Sequence, residues 1–577
     1  MSSFLPRLFC LLLGCHALGV CSSSTRSADA VRIRWSTAPN TLDPLLASKP
    51  QELEVVNLLH CSLLTGEPRR QQIVPWLAQD LPTVEQRGAL TLLTYQLRPE
   101  ATWDNGQPVL ARDVAFTLRV LNCPGLPTEF ARALYGFVLD IELDPADPRR
   151  FTLACASSSS ETIFASGDYS ILPEYAFDPA GTLRAVPLAL LRADTTTALR
   201  RYPALRAFAA RYRQAQLGRH PERLPGCGPY QLTAWESNRY LILRRKPKWW
   251  ADRVRRPPMW LQAHASRLDY QIIPDNATAL LALRRGNLDV YPMPSARDFN
   301  RLQQSADTSH LVFHTADSYE MTTAGFNTRN ALLRDRRTRQ ALRLLFNIPD
   351  LIRATHDGLA YPSASVISPQ DTLAYNDSLA IPSFSPSGAE RLLQKAGWQR
   401  GGDGSWWRGK TGPLALSISY ETGIPEHETV ALQFQAAAAA IGISVRLRPQ
   451  EAGLLQQQLA AGNVDMYVRA ATGNPFGYNF TPMLHSQGVG LYNYTRFSSP
   501  AADRLIGAIT TERNPRQQAL LLWRFQRLLQ QETPLVVLYF TRNRLIASRR
   551  LRSVRAISIR PGYDVLSLHL PAPTVQE

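Results

Sequence analysis

The sequence contains few cysteines, and beyond its first residues it contains no long apolar run. Of the seven cysteines in 577 residues, those beyond residue 24 are Cys61, Cys123, Cys155 and Cys227. They are spread too widely for a disulfide framework, although one bridge between an unspecified pair remains open. None has the Cys-x-x-Cys spacing of a structural zinc site, so no metal site is predicted. No later apolar run reaches the length of a membrane-spanning helix.

Motifs of catalysis and of phosphate or calcium binding are also missing. The sequence has no Gly-x-Ser-x-Gly elbow, no His-Glu-x-x-His pair, no phosphate-binding loop and no calcium-binding loop. His310 and His314 lie four residues apart in an alternating run and could share a strand face, but an ordinary surface or core position accounts for them more simply. We therefore predict that the protein is not an enzyme and needs no cofactor.

Lysine is rare, although the protein is strongly basic. Only five of the 64 basic residues are lysines, and the net charge is +17. Such a charge favours an anionic partner such as nucleic acid. The arginines, however, are scattered along the whole chain, and the densest clusters, at residues 244–246 and 549–552, stand beside predicted strands and are typical of solvated faces. We therefore predict no nucleic-acid partner.

The first 24 residues have the pattern of an export signal. Arg7 precedes an apolar run at residues 8–13 that is too short to span a bilayer. Leu-Leu-Gly-Cys at residues 12–15 resembles the lipobox of bacterial lipoproteins, in which the cysteine is lipidated after cleavage. Cys15 is the predicted lipidation site, Cys21 is the alternative, and ordinary cleavage without a lipid is a third reading. The expected location is the periplasm or the outer face of the cytoplasmic membrane.

Between residues 90 and 121 the pattern changes from strand to turn to helix. Apolar and polar residues alternate at 92–98, which predicts a strand. Asp-Asn-Gly at 104–106 is typical of a tight turn. Apolar residues then recur at helical spacing up to residue 121, so a helix is predicted to begin near residue 111.

One helix–glycine–strand pattern occurs twice, far apart in the chain. Residues 280–290 and 459–466 each combine an apolar helical stretch, a glycine and an extended run. Glycine ends a helix by adopting the left-handed conformation, and an immediate return to strand suits α/β layers with parallel neighbours. Because the chain is long and 45% hydrophobic, it can form several cores. We predict two lobes of similar build, together with a block of short strands at residues 51–202.

These motifs, in this order, resemble those of the family 5 extracellular solute-binding proteins, which include the periplasmic oligopeptide-, dipeptide- and nickel-binding proteins of ABC importers. The matching elements are Pro-Trp-Leu-Ala at 75–78, the strand, Trp-Asp-Asn-Gly turn and helix at 92–121, Gly-Cys-Gly-Pro-Tyr at 226–230 and Gly-Phe-Asn-Thr at 325–328. Two positions depart from the family pattern: Cys227 replaces the usual threonine, and Leu110 replaces the Thr or Ser that caps the helix.

The resemblance implies an α/β fold of the type II periplasmic-binding-protein class, with two lobes joined by hinge strands and an extra inserted domain. The expected order is a lipoprotein-type signal and tether at residues 1–24, the first part of lobe I at 25–60, inserted domain II at 61–202, the second part of lobe I at 203–320, lobe III at 321–540 and the last part of lobe I at 541–577.

The resemblance also implies capture of a ligand without chemistry. The protein would be the substrate-binding component of an ABC importer, holding a peptide or related solute in an interlobe cleft and delivering it, as a monomer, to a membrane permease. Two alternatives are an exported envelope hydrolase and a peptide-chaperone or scaffold protein that uses the same cleft.

The segment that holds the ligand's amine in peptide-binding relatives differs in this chain. There, an aspartate in an Ala-Asp-Tyr motif pairs with the α-amino group, whereas residues 469–475 here read Arg-Ala-Ala-Thr-Gly-Asn-Pro. Thr472 can hydrogen-bond an amine but cannot balance its charge, so a standard free-amine peptide is not expected. Arg469 would either favour a carboxylate or face solvent. By position, the candidate cleft residues are Ser48, Tyr135, Thr323, Arg469, Thr472, Asn474 and Tyr478.

Mass spectrometry of the mature N-terminus tests the leader prediction. We expect the mature chain to begin at Cys15 and to carry at least two fatty chains, because a single chain gives only marginal membrane binding. Cys15→Ser should remove the lipid, whereas Cys21→Ser should leave it in place. A lipid on Cys21, or an unmodified N-terminus, would contradict the prediction.

Overall fold

The computed structural model of the protein describes residues 29–571, apart from residues 68, 70, 157 and 158. The predicted lipidation sites Cys15 and Cys21 lie outside the described residues. Among the helices of the described ranges, none is long and apolar enough to cross a membrane.

The secondary structure alternates between short strands and helices. The strands are β1 Ala30–Trp35, β2 Leu64–Glu67, β3 Gln72–Pro75, β4 Thr83–Arg87, β5 Leu90–Gln96, β6 Val138–Leu143, β7 Arg150–Cys155, β8 Tyr230–Glu236, β9 Tyr240–Arg245, β10 Arg267–Ile272, β11 Val290–Pro292, β12 Leu311–Phe326, β13 Ala360–Tyr361, β14 Gln399–Arg400, β15 Trp406–Trp407, β16 Ala415–Glu421, β17 Ser444–Gln450, β18 Met466–Thr472 and β19 Leu535–Ser548. The α-helices are α1 Pro50–Leu59, α2 Ala111–Leu121, α3 Glu129–Leu134, α4 Ser160–Ala165, α5 Glu174–Phe177, α6 Leu188–Ala193, α7 Thr195–Arg201, α8 Ala204–Ala215, α9 Asn276–Arg284, α10 Ala296–Gln303, α11 Arg336–Arg343, α12 Ile348–His356, α13 Pro386–Lys395, α14 Pro425–Ala440, α15 Ala452–Ala461, α16 Thr481–Leu484, α17 Pro500–Thr511 and α18 Pro515–Glu532.

The main sheet is built around two long antiparallel strands, β12 and β19. In the described part of the chain it has eleven strands, in the order β17-β16-β18-β12-β19-β11-β1-β10-β9-β8, and β13 also pairs with β19. Strands β11, β1, β10, β9 and β8 lie on one side of the central pair, and we call them the first half. Strands β18, β16 and β17 lie on the other side and form the second half. The α/β class predicted from the sequence is confirmed.

The pairing of β12 with β19 is interrupted in the middle. Residues 311–317 pair with residues 542–548, and residues 321–325 pair with residues 535–540, with a shift of register between them. Strand β11 pairs with β19 on one side of this shift, and β18 pairs with β12 on the other. The irregularity therefore lies where the two strands pass from the first half to the second, which is the geometry of a hinge.

Separate hydrophobic cores form on the two sides of this irregularity. The largest core takes its buried side chains from residues 31–290 and 545–568. On the second half, the two larger cores are formed by side chains from residues 324–539 and 321–540, and a smaller one by side chains from residues 455–467. Because each half has its own packed interior, each can move as a unit while the central strands bend. The six segment boundaries given by the sequence analysis stay a prediction.

A block of residues 83–215, which we call the inserted block, lies outside the main sheet. It contains an antiparallel sheet in the order β4-β5-β7-β6 together with helices α2 to α8. Buried side chains of this block, such as Tyr95, Leu153 and Phe208, belong to the same core as β1 and β10. The inserted block is therefore packed onto the first half.

The strand, turn and helix predicted between residues 90 and 121 are confirmed as β5 and α2. Leu110 has no side chain that can cap the helix. The start of the helix is instead stabilised by Asp113 in its first turn, which accepts a hydrogen bond from the Leu110 N–H at 2.9 Å. In the turn, Asp104 accepts a hydrogen bond from the Gly226 N–H at 2.9 Å. This bond joins two of the four sequence motifs that carried the family resemblance.

The two helix–glycine–strand patterns are confirmed as α9 with β11 and α15 with β18. Each strand has a parallel neighbour, β1 in the first half and β16 in the second. Asp289 and Asp465, just before these strands, accept hydrogen bonds from the backbone N–H of Arg32 and of Ser417, each at 2.9 Å. In both halves, a hydrogen bond from a strand's backbone N–H to an aspartate carboxylate thus holds two neighbouring strands together.

Two glycines at residues 226–230 are required by a close approach of two backbones. A Cβ on Gly226 would lie 2.1 Å from the carbonyl oxygen of Leu59, and a Cβ on Gly228 would lie 2.4 Å from that of Leu58. The Gly228 N–H donates to the Leu59 carbonyl at 3.0 Å. The end of α1 is therefore held directly against the start of β8.

Cys61 and Cys227 lie side by side next to this contact. All four cysteines in the described ranges are buried and free, so the bridge left open by the sequence is not formed. Burial raises the pKa of the Cys227 thiol, and its hydrogen bond with Cys61 raises it further.

The glycine contact can be tested by adding one methyl group. Gly228→Ala should lower the free energy of unfolding by about 3 kcal/mol, because a buried backbone must shift to admit the Cβ. The control is Gly507→Ala, an exposed position inside α17 where an added Cβ meets nothing within 4 Å. That variant should be about 0.5–1 kcal/mol more stable than the wild type. Urea denaturation followed by circular dichroism measures both, and equal midpoints for Gly228→Ala and the wild type would contradict this role.

Candidate functional site

A cavity of about 560 Å³ lies between the first half and a loop of the second half. Most of its wall comes from four segments on the side of the first half, at residues 44–66, 131–135, 164–170 and 559–566. The second half contributes Phe476. The cavity is thus formed where the two halves meet.

Phe476 lies in the loop that follows β18. Its ring packs on the ring of Phe164 in the inserted block, with centroids 4.9 Å apart. Its edge also lies against Gly66, where an added Cβ would be 2.3 Å from the Phe476 ring. Asn474 shapes the loop, because its side-chain oxygen accepts a hydrogen bond from the Phe476 N–H at 2.9 Å.

Polar contacts between the halves lie beside the irregularity of the central strands. The Tyr319 hydroxyl donates to the side-chain oxygen of Gln71, and the Gln71 amide donates to Gln370 at 3.3 Å. Arg560 pairs with Glu320 of β12. The halves are therefore in contact beside the cavity.

Asp168 is a carboxyl group in the cavity wall whose hydrogen bonding is incomplete. Its Oδ1 atom is buried and has no hydrogen-bond partner among the described residues. The Tyr135 hydroxyl lies close to this carboxyl group and interacts with it. Burial raises the pKa of Asp168 to about 7, although the interaction with Tyr135 acts in the opposite direction.

His60, at the end of α1, is almost completely buried in the same wall. Neither ring nitrogen has a hydrogen-bond partner in the described part of the chain. Burial, followed by the charge of Lys246, lowers the pKa of His60 to about 3, so the ring is neutral at neutral pH. A neutral imidazole offers one donor and one acceptor.

Glu54 is the second carboxyl group of the wall, and its hydrogen bonds are satisfied. It accepts hydrogen bonds from the hydroxyl groups of Tyr270, at 2.9 Å, and of Tyr563. Burial raises the pKa of Glu54 to about 7. Within the described ranges, no lysine or arginine lines the cavity. The site is therefore neutral to negative, in contrast with the basic chain as a whole.

Of the candidate residues named from the sequence, Ser48 and Tyr135 line this cavity. The other candidates belong to the second half and are not among its lining residues. Thr323 is buried and donates to the Arg469 carbonyl, and the Arg469 guanidinium donates to Gln456 at 2.8 Å and covers the ring of Tyr494.

The remaining candidates lie at the end of β18 and in its loop. Thr472 is exposed and is paired with Glu320, Asn474 is exposed, and the Tyr478 hydroxyl bonds to Asp371. The ligand contacts of all these residues stay a prediction. Asp168, His60, Glu54 and Phe476 were not found from the sequence, because no local pattern distinguishes them from ordinary core or loop residues.

Comparisons with known proteins give one consistent result. The model of "Bacterial extracellular solute-binding proteins, family 5 Middle" matches residues 72–490. The peptidoglycan-binding protein YepA of Agrobacterium fabrum is 23% identical over 79% of this chain and 76% of its own length. The oligopeptide-binding protein AppA of Bacillus subtilis is 23% identical over 59% of this chain and 61% of its own length.

Solved structures show the same fold. AppA of Bacillus subtilis, solved with a nonapeptide, has a TM-score of 0.68 at 18% identity and covers 94% of this chain and 99% of its own. HbpA2 of Haemophilus parasuis has a TM-score of 0.74 at 16% identity and covers 94% of this chain and 100% of its own. These likenesses confirm the type II periplasmic-binding-protein fold that the sequence predicted.

The environment of Asp168 predicts a pH-dependent stability. Because its pKa is raised to about 7 from 3.8, the folded protein binds this proton more tightly than the unfolded chain does. The contribution of Asp168 to the free energy of unfolding is therefore present below about pH 4 and is lost as the pH rises through about 7. Asp168→Asn cannot ionise, so without solute its stability relative to the wild type should rise by about 1–2 kcal/mol between pH 5 and pH 8.

Thermal unfolding at a series of pH values measures this difference. Asp147→Asn is the control, because hydrogen bonds from the Arg149 N–H and from Gln96 lower the pKa of Asp147. Its stability relative to the wild type should not change between pH 5 and pH 8. A constant difference between Asp168→Asn and the wild type would show that Asp168 does not titrate in this range.

Proposed function

The chain belongs to the bacterial extracellular solute-binding proteins of family 5, and we propose that it is the substrate-binding component of an ABC importer. In this role it captures a peptide or related solute in the cavity between its two halves and delivers it to a membrane permease. It binds the solute without chemical change.

The observation that carries this proposal is the composition of the cavity wall. The polar groups Asp168, His60 and Glu54 come from the side of the first half, whereas Phe476 reaches the cavity from the second half. Separating the halves would remove the contact of Phe476 with Phe164 and open the cavity to water. A solute that fills the cavity therefore gains contacts from Phe476 only in the closed form.

The central strands support the motion that this mechanism requires. They connect the halves through a region of irregular pairing, and each half has its own core. A ligand that binds the closed form better shifts the balance toward closure by the difference in its affinity for the two forms. The closed form then differs in shape from the open one, which gives the permease a signal that solute is bound.

The size of the cavity and the names of the relatives support the solute class. A volume of about 560 Å³ lies within the range of about 300–1,000 Å³ that is usual for small-ligand sites. Relatives are named for binding peptidoglycan, oligopeptides and glutathione. A short peptide, or a solute that contains peptide bonds, fits both observations.

The family is extracellular, and the protein is accordingly exported. We propose that it stays attached to the membrane through a lipid on Cys15, which would keep captured solute close to the permease.

A binding screen with a matched pair of variants tests the proposal. Pools of short peptides should raise the melting temperature of the wild type, and small-angle scattering should show a smaller radius of gyration with solute. Phe476→Ala should weaken binding by about 10-fold, because the solute loses a buried aromatic contact. Phe384→Ala removes an exposed ring of the second half that does not line the cavity, and it should bind as the wild type does.

The proposal fails if no peptide pool shifts the melting temperature and the scattering curve is unchanged. Equal affinities of Phe476→Ala and the wild type would mean that solute binds elsewhere on the molecule.

A further inference from the structure

The cavity wall holds carboxyl groups whose ionised form no cation in the described part of the wall would balance. Its ionisable side chains in the described part of the chain include two carboxyl groups, Glu54 and Asp168, and no lysine or arginine. Glu54 is already satisfied by two tyrosine hydroxyls. Asp168 is therefore the carboxyl group of the wall that is available to attract a cation.

One oxygen of Asp168 is buried without a hydrogen-bond partner among the described residues. Leaving a buried carboxylate oxygen unpaired costs free energy, so native proteins normally pair such atoms with a donor. The Tyr135 hydroxyl lies close to this carboxyl group, but Oδ1 has no hydrogen-bond partner in the described part of the chain. Asp168 lines the cavity, so a bound molecule there has space to supply a hydrogen-bond donor.

Aromatic rings and two further unpaired polar groups lie in the same cavity wall as this carboxyl group. The rings of Tyr135 and Tyr169 meet edge to face, with centroids 5.0 Å apart. The Tyr169 hydroxyl and both ring nitrogens of His60 lack partners in the described ranges. A carboxylate next to aromatic faces is the usual setting for an ammonium group, because the rings and the carboxylate both attract a cation.

We propose that Asp168 binds a cationic ammonium group of the solute, with Tyr135 and Tyr169 forming the aromatic wall beside it. The inference rests on the proposed function, because it takes this cavity as the solute site. It adds that the solute carries a positive charge and that Asp168 is the residue that binds it. His60 and the Tyr169 hydroxyl are left to serve neutral polar groups of the same solute.

The end of β18 offers no competing anchor for a cation. Thr472 there is exposed and carries no charge, and the carboxylate opposite it, Glu320, is paired with Arg560. Arg469 is held by Gln456 and covers Tyr494, so it does not bring a positive charge to the cavity wall. The solute's amine therefore points toward the inserted block and away from β18, and a free-amine solute is accepted in spite of Thr472.

Two peptide libraries that differ only in charge test this assignment on the full-length protein. One is a mixed library of tripeptides with free amines, and the other is the same library after complete N-acetylation of its α- and ε-amines. Thermal shift and isothermal titration should show binding of the free-amine library, and acetylation should weaken it by at least about 10-fold.

Three variants locate the effect. Asp168→Asn should weaken binding of the free-amine library by about 10- to 100-fold, because it removes the charge and keeps the shape. Asp168→Glu keeps the charge and should retain part of the affinity even if the neighbouring rings must shift. Asp80→Asn removes an exposed carboxyl group outside the cavity wall, and it should leave affinity unchanged. Melting of the solute-free variants shows whether each one is folded.

The outcomes separate this inference from the proposed function. If both libraries bind the wild type equally well, or if folded Asp168→Asn binds the free-amine library as tightly as the wild type, Asp168 is not the anchor, while solute capture still stands. If neither library binds, peptide capture itself fails, and the inference fails with it. Selective binding of the free-amine library that Asp168→Asn abolishes and Asp168→Glu retains in part supports both.

Discussion

The pairing of β12 with β19 is the interaction on which the rest of the structure depends. Each strand is hydrogen-bonded to a neighbour in one half and runs on into the other half. A continuous ladder would make one stiff sheet, but the pairing is broken between residues 317 and 321. The same backbone therefore joins the two cores and allows them to change their relative orientation.

The two halves play unequal parts in the cavity because the inserted block shares its core with the first half only. Tyr135, Asp168 and Tyr169 are fixed in one packed body with α1. The second half contributes a loop whose Phe476 ring can reach the cavity only when the halves are close together. In the proposed mechanism, the side chains that bind polar groups of the solute therefore lie on one half, and the ring that joins them on closure lies on the other.

The basic composition of the chain is not repeated in its cavity wall. A net charge of +17 suggests anionic partners, yet the cavity wall holds carboxyl groups and, within the described residues, no basic side chain other than neutral His60. Many arginines are used in structural contacts; Arg32 and Arg550, for example, both bind the buried Asp289. Overall composition therefore does not predict the chemistry of the site.

The sequence by itself determined the elements whose cause is local. The helix at 111–121 and the two helix–glycine–strand units follow from spacing, turn residues and glycine caps, and the order of the motifs along the chain indicated the family. Only the tertiary structure brought His60, Tyr135, Asp168 and Phe476 to one cavity, because these residues lie on separate segments whose meeting depends on long-range packing. The missing partner of Asp168 is likewise a property of its surroundings, since hydrogen bonding and burial are decided by neighbours in space.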